Sequence, residues 1–533
     1  MIHGDGPLPE NWAWTAIPEI VEPGAAIVYG ILQPGPQQVD GVPYVRPTEI
    51  EDGKIRLEDV RRTTPNIASK YTRSTLQEDD VILSIVGTIG KVAIVPTDLD
   101  GGNITQSSAR LRPNQRAVNP KYLAWALRSP GIRKQFDAMR LGTAVPRLNI
   151  AHVKLINIPV APKSQQDRIV AEIEKQFSRL DAGVAALKRV EANLKRYKAA
   201  VLKAACTGEL TADWRAAHPD VEPASKLLDR ILRERRRKWE EAELAKMIAK
   251  GKPPKDDKWK KRYKEPVGPD VSDIPVVPGN WAVASLDQLS STITSGSRDW
   301  SKYYGRGSGT FVMAQNVRPG SFDLSFRQPV DPPDDDRDRE RSQILKDDLL
   351  VTIVGANTGD FCRVPDDFLE HYVCQSVSLI RPVDVSVSIY LETYMAAEEG
   401  GQRQFRRYIY GQGRPHLGFD QIRMTPVLLP PMGEQLAILS TIDESLSRFA
   451  AIDRSTAYSK ARSRSLRQSI LKSAFEGKLV EQDPTDEPAS VLLERIRAVR
   501  ERREAEEKTK RKASPKKKRS SKKKTRQTAG GKR

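Results

Sequence analysis

At 533 residues the chain is longer than one ordinary domain, and two to four are expected. A hydrophobic content of 38%, no run of 18 apolar residues, and three cysteines (Cys206, Cys362, Cys374) exclude a transmembrane helix and a disulfide framework. The formal charge of +19 is concentrated at the end: residues 508–533 carry +14, so the remainder carries only +5.

The opening, MIHGDGPLPENW, lacks the basic-then-apolar pattern of a signal peptide, and a cytoplasmic protein is expected. Short β-rich runs follow, among them DVILSIV and KVAIV, punctuated by glycine and proline. Between these two runs stands VGTIGK, a glycine pair followed by lysine. A phosphate-binding loop requires G-x-x-x-x-G-K-[ST] opening a helix. Here Gly87 and Gly90 are too close together, Val92 replaces the hydroxyl residue, and Val92 to Val95 read as strand. The turn is expected to be a tight strand-to-strand connection at positive φ. A helical stretch is predicted over Tyr122 to Met139, with its counterpart over Tyr390 to Ile409. From Gln166 apolar residues recur every three or four positions through Val201, including Ile173, Phe177, Leu180, Val184, Leu187 and Leu194. This predicts an amphipathic helix with a coiled-coil-like seam, roughly 60 Å long at ~1.5 Å per residue, stopped by Gly208. A charged helix is predicted over Ala224 to Lys250.

The chain then repeats itself. DDVILSIVGTIGKVAIVP (Asp79 to Pro96) returns as DDLLVTIVGANTGDFCRVP (Asp347 to Pro365), with Asp360 in place of Lys91. QSSARLRP matches QSVSLIRP, GTAVPRLNIAHV matches GQGRPHLGFDQI, and VLKAACTGEL matches ILKSAFEGKL, each pair 269 residues apart. EPASKLL (from Glu222) and EPASVLL (from Glu487) extend the match. A tandem duplication with pseudo-two-fold architecture follows. The second seam comprises Leu436, Leu439, Ile442, Leu446, Phe449 and Ile452, and a last charged helix is predicted over Ala489 to Glu507. A long seam needs a partner, and the two repeats supply an antiparallel pair to one another. The tail cannot bury apolar surface and is expected to be disordered, attracting nucleic acid loosely or acting only as a solubiliser.

No catalytic constellation emerges. VDPPDDD (Val330 to Asp336) contains D-P-P, but Asp334 stands where an adenine methyltransferase needs an aromatic ring. His371, Cys374 and Cys362 fall short of a four-ligand zinc pattern, and the first repeat has Gly102 and Thr105 at the matching places. Neither catalytic nor metal-binding residues are assigned. Candidate DNA-reading residues are polar residues at matched positions or beside the glycine turns. They are Arg46, Thr48, Lys91, Gln106, Ser107, Arg140 and Arg147 in the first repeat. In the second they are Asn316, Arg318, Asn357, Gln375, Ser376, Arg407, Arg414 and His416. A structural role at a strand start is equally open for Gln106 and Gln375.

The duplicated set resembles the specificity subunit of type I restriction–modification systems over nearly all of residues 1–507. The proline-rich entry into a helix followed by Glu-Gln is carried by LPPMGEQLAIL (Leu429 to Leu439). The first copy departs from it mildly in VAPKSQQDRIV, with Ala161 for a proline and Gln165 for the glutamate. The resemblance implies an α+β fold: target-recognition domains over 1–162 and 271–431, helical spacers over 163–270 and 432–507, and the basic tail over 508–533. It further implies a subunit without chemistry of its own, binding double-stranded DNA, two methyltransferase subunits and two restriction (translocase) subunits. Each recognition domain reads half of an asymmetric bipartite target, and the helices set the gap. S-adenosylmethionine, ATP and Mg would serve those partners, with no cofactor on this chain. A stand-alone methyltransferase or nuclease, or a nucleic-acid scaffold acting through its tail, are the competing classes.

Overall fold

The computed structural model describes residues 7–142, 144–298, 300–368 and 370–513, so the basic tail beyond Ala513 lies outside the described residues. The chain divides into two units: residues up to Leu187 together with those from Ala457 form one, and Lys188–Thr456 form the other. The division falls inside both long helices, Lys163–Thr207 and Met432–Phe475. Each unit therefore holds one globule and helical segments from both repeats.

The two globules are built on one plan. In the first unit a four-stranded antiparallel sheet has the spatial order Val28–Tyr29, Ser108–Leu111, Val81–Ser84, Val92–Ile94. A second sheet places Val42–Val45 between Arg61–Thr63 and, in parallel, Asn103–Ile104. Ala13–Ala16 pairs with Asn157–Val160, tying the start of the globule to its exit. The second unit repeats this plan. Its four strands run Ser290–Ser295, Val377–Pro382, Leu349–Thr352, Phe361–Arg363. Tyr304–Val312 lies between Pro329–Val330 and His371–Val373, and Ala282–Ser285 pairs with Pro426–Leu429.

The central strand explains why DVILSIV is apolar without alternation. Successive side chains leave opposite faces of a strand. Val81 and Leu83 enter the large core against the helices, whereas Ile82 enters a smaller core with Val45, Ala93 and Ile104. Leu349 and Val351 against Leu350 divide in the same way in the second unit. Both faces are covered, so both must be apolar.

The predicted helical stretch is two helices in each unit. Asn119 caps Pro120–Arg128 by accepting from the Lys121 and Tyr122 amides, and Ser129 leaves the helix before Pro130, where a second helix runs to Met139. A residue preceding proline is pushed out of helical geometry. In the second unit the break between Ser388–Ala396 and Gly401–Tyr408 falls at Gly400.

The long helices pair antiparallel in each unit, and both end at glycines with positive φ, Gly208 (+80°) and Gly477 (+73°). In the first unit Ile173 and Phe177 are buried with Leu471 and Phe475, and Arg467 reaches Asp181 while lying over the Phe177 ring. In the second, Leu194 packs with Ile442, Leu446 and Phe449, whose ring meets Tyr197 edge-on at 5.4 Å. Leu180, Val184 and Leu187 are half-buried. Leu436 departs from the predicted seam, being 62% exposed, while Ile438 is fully buried. The seam turns there because Gln435 faces inward and donates its amide to the Pro430 carbonyl (2.9 Å). The charged helices span Ala224–Ala249 and Ala489–Ala513, so the last one continues past the predicted Glu507 into the start of the basic segment. Each is tied by its first amide to a globule, Ala224 to the Asn280 carbonyl and Ala489 to that of Asn11, both at 2.9 Å.

The departure at Gln165 has a physical cause. Its counterpart Glu434 is fully buried and is met by Arg215, by the Thr211 hydroxyl (2.7 Å) and by Asn280. Gln165 instead accepts from the Trp12 indole N–H at 2.9 Å. A neutral amide needs no cation, and none of the described residues places one against it.

Candidate nucleic-acid interface

In each unit three loops meet at one edge of the four-stranded sheet, held by the same main-chain bonds. The glycine turn of the first unit has Gly87 at φ +75° and Gly90 at +83°, as its strand-to-strand role requires. Beside it the Gln106–Ser107 turn accepts the Ile85 amide at the Ser107 carbonyl (2.8 Å). The third loop closes where Leu141 and Arg147 exchange main-chain bonds of 2.9 and 2.8 Å, and Pro146 accepts the Gly87 amide (2.8 Å). In the second unit the Ile353 amide meets Ser376 (2.9 Å), Tyr410 and His416 exchange bonds of 3.1 and 2.8 Å, and Gly355 donates to Pro415 (3.1 Å). Residues far apart in sequence thus form one contiguous edge, twice.

This edge collects most of the predicted residues. Gln106, Arg140, Arg147, Gln375 and Arg414 are exposed there, with no side-chain hydrogen bond among the described residues. Ser107, Ser376 and Asn357 are half-exposed in the turns, and His416 stacks on the exposed Tyr410 ring with centroids 5.9 Å apart. Such side chains offer donors and acceptors to base edges and phosphates.

Other predicted residues serve the fold. Arg46 donates its Nε to the buried carboxylate of Glu49 (2.8 Å), which also accepts from Thr48 (2.8 Å). Lys91 closes the same corner by donating to the Pro47 carbonyl (2.9 Å). Asn316 is buried, its amide hydrogens bound to the carbonyls of Asp323 (2.8 Å) and Phe326 (2.7 Å), so it is withdrawn from any ligand. Arg407 donates to the Ser272 hydroxyl (2.6 Å) and pairs with Asp270 (3.3 Å), fastening a preceding loop to its helix. Arg318 is half-buried near Asp360, whose carboxyl is raised by burial while the guanidinium opposes that shift. The acid at the Lys91 position thus has a cation from the neighbouring hairpin.

The cysteines are buried, and burial pushes the Cys362 thiol up to about 12. Among the described residues no group of three or more His, Cys, Asp or Glu is gathered to hold a metal ion. Asp334, in the D-P-P segment, is almost fully exposed and pairs with Arg339 at 3.3 Å. No described helix is long and apolar enough to cross a membrane.

Fold and site together define an internally duplicated α+β protein, with one loop edge per unit and long antiparallel helices joining the globules. The model of the type I restriction modification DNA specificity domain matches residues 17–193. The specificity subunit of the Escherichia coli type I restriction enzyme EcoBI is 31% identical over 232 residues, which is 43% of this chain and about half (49%) of that subunit. The specificity subunits of StySPI from Salmonella potsdam and EcoKI from Escherichia coli K12 are 24% and 22% identical. Each of these matches covers 93% of this chain, and 96% and 97% of those subunits. The HsdS subunit from Thermoanaerobacter tengcongensis superposes with a TM-score of 0.52 at 20% identity, over 90% of this chain and 100% of that one. A chain from a structural study of type I R-M complex assembly gives 0.59 at 19%, over 89% and 100%. The chain is similar to specificity subunits of type I restriction–modification systems over nearly its whole length, and its residues 17–193 match their DNA specificity domain.

Proposed function

We propose that this chain recognises double-stranded DNA for a type I restriction–modification complex and carries out no bond-making step itself. The observation that carries the reading is the duplicated loop edge: identical main-chain bonding presents different side chains in the two units. Gln106, Arg140 and Arg147 in one, and Gln375, Asn357, Arg414 and His416 in the other, would read two different half-sites. An asymmetric bipartite target follows.

The long helices set the number of unread base pairs between half-sites and dock the partners. Supporting the docking role, the second unit's helix pair exposes a shallow apolar depression of about 600 Å³ lined by Val190, Leu194, Tyr197, Ala200 and Ile452. Exposed apolar patches of this kind mark protein contacts. Two methyltransferase subunits using S-adenosylmethionine, and two restriction (translocase) subunits using ATP and Mg, are the partners this reading requires. Their site of action is the cytoplasm.

The first experiment is a genome-wide map of methyladenine with and without the gene. A bipartite motif that vanishes on deletion and returns on complementation supports the reading. A map that does not change, although the chain copurifies with an expressed and active methyltransferase subunit, overturns it.

A further inference from the structure

A cleft of about 560 Å³ in the first unit lies between the turn at Asp52–Gly53, the end of the glycine turn, and the helices Pro120–Arg128 and Pro130–Met139. Four of its lining residues are cations: Arg56, Lys91, Arg128 and Arg133. Its two acids are Glu51 and Asp52, and Arg56 is already paired with Glu51 (3.5 Å) and Asp59 (3.1 Å). Among the described residues the Lys91 ammonium donates to the Pro47 carbonyl alone, and the Arg133 guanidinium only weakly to that of Gly90 (3.4 Å).

Arg128 is the distinctive member. Its guanidinium lies over the Trp125 ring at 4.6 Å and against Gly53, where any Cβ would collide with it. It is half-buried, yet among the described residues it has neither hydrogen bond nor ion pair. Burial pulls the group below its ordinary value, with Asp52 nearby opposing that shift. Among the described residues its N–H groups have no protein acceptor and remain open to one that enters the cleft. The second unit builds the same fold without these charges at the matching positions. In the second unit the equivalent helix ends in Ala396, Gln402 replaces Arg133 and donates to the Gly359 carbonyl (2.8 Å), and Asp360 replaces Lys91.

We propose that this cleft binds a phosphoryl group of the DNA backbone, giving the first unit a phosphate clamp that the second lacks. The planar fork of Arg128 suits two oxygens of one phosphate, with Lys91 and Arg133 completing the charge. The inference rests on the DNA-recognition reading above. A free phosphate or nucleotide would offer the same chemistry, and the test separates the sources.

The full chain, assembled with its methyltransferase subunits, is titrated with a duplex carrying its bipartite motif over a salt series. Arg128→Gln and Arg133→Gln should each flatten the slope of log K against log salt by about 0.9, with the methylated motif unchanged. Arg128→Lys should largely restore the slope. If the first variant misfolds, Arg133→Gln, on an exposed position, carries the readout. In a second arm the free chain is melted with inorganic pyrophosphate. A Tm shift lost in Arg128→Gln, beside an unchanged salt slope, keeps the phosphoryl site but makes its source a free phosphate. Unchanged slopes with an unchanged motif, and no pyrophosphate shift, overturn the proposal while leaving recognition intact. Loss of any chain-dependent motif overturns the recognition reading instead, and the pyrophosphate arm then judges the cleft alone.

Discussion

The buried pair of Glu434 and Arg215 is where a single residue exposes the difference between the two repeats. Removing one partner of a buried ion pair leaves a charge without compensation, at a cost of about 3–5 kcal/mol. Arg215→Ala should destabilise the second unit by that order in denaturant melts, and Glu434→Gln in the same background should recover much of the loss, as Gln165 stands at that place in the first unit. Equal losses in single and double variants would show that the pair is not coupled. Glycines divide in a similar way. A Cβ on Gly87 meets nothing within 4 Å, so Gly87→Ala carries only the strain of φ +75°, about 1 kcal/mol. A Cβ on Gly296 would overlap the Val373 carbonyl, which is backbone and has no rotamer in which to move away. Gly296→Ala should therefore destabilise the second unit several times more than Gly87→Ala does the first, measured by thermal unfolding.

At the scale of elements, strands and long helices were legible because each carries its own period. The VILS and LLVT strands stood out as apolar runs, and the seam of the first long helix as a repeat of threes and fours. Where the period was interrupted, the sequence reading slipped. It read one helix through Ser129–Pro130, although the proline rule applies there, and it put Leu436 on the seam because Gln435 does not look like an inward residue. Candidate site residues divide on the same principle. Gln106, Arg147 and Arg414 are exposed because they flank repeated turns, and turns lie at the surface. That Asn316 and Arg407 are held within the protein was not legible, because their partners, the Phe326 carbonyl and Ser272, come from other loops. Arg128 was not among the candidates: at the end of a helix it looks like an ordinary C-terminal cation.

At the scale of the molecule, each unit combines segments from both repeats, and this predicts how truncations behave. The first unit's core includes Leu471, Phe475, Ala489 and Leu493, and Arg497 pairs with Glu19 at 2.8 Å. Ending the chain after Gly477 should raise hydrogen exchange throughout the first globule while leaving Lys188–Thr456 protected. Loss of protection confined to the second unit would contradict that division. A four-residue insertion near Ala185, about one helical turn, should lengthen the unread gap in the methylated motif and leave both half-sites unchanged. An active complex with the same gap would remove the helices from that role.

The sequence by itself determined the duplication, the α+β globules and the two long helices, because repeats, periodicity and turn glycines are local signals that survive in one dimension. The tertiary structure decided which polar residues are free and which are fastened to the fold. It also decided that segments from both repeats complete each unit, and that Arg128 stands without an acceptor. A side chain's availability depends on what lies within a few ångströms of it, and in this chain those neighbours come from as far as 482 residues away, as with Arg500 on the Pro18 carbonyl.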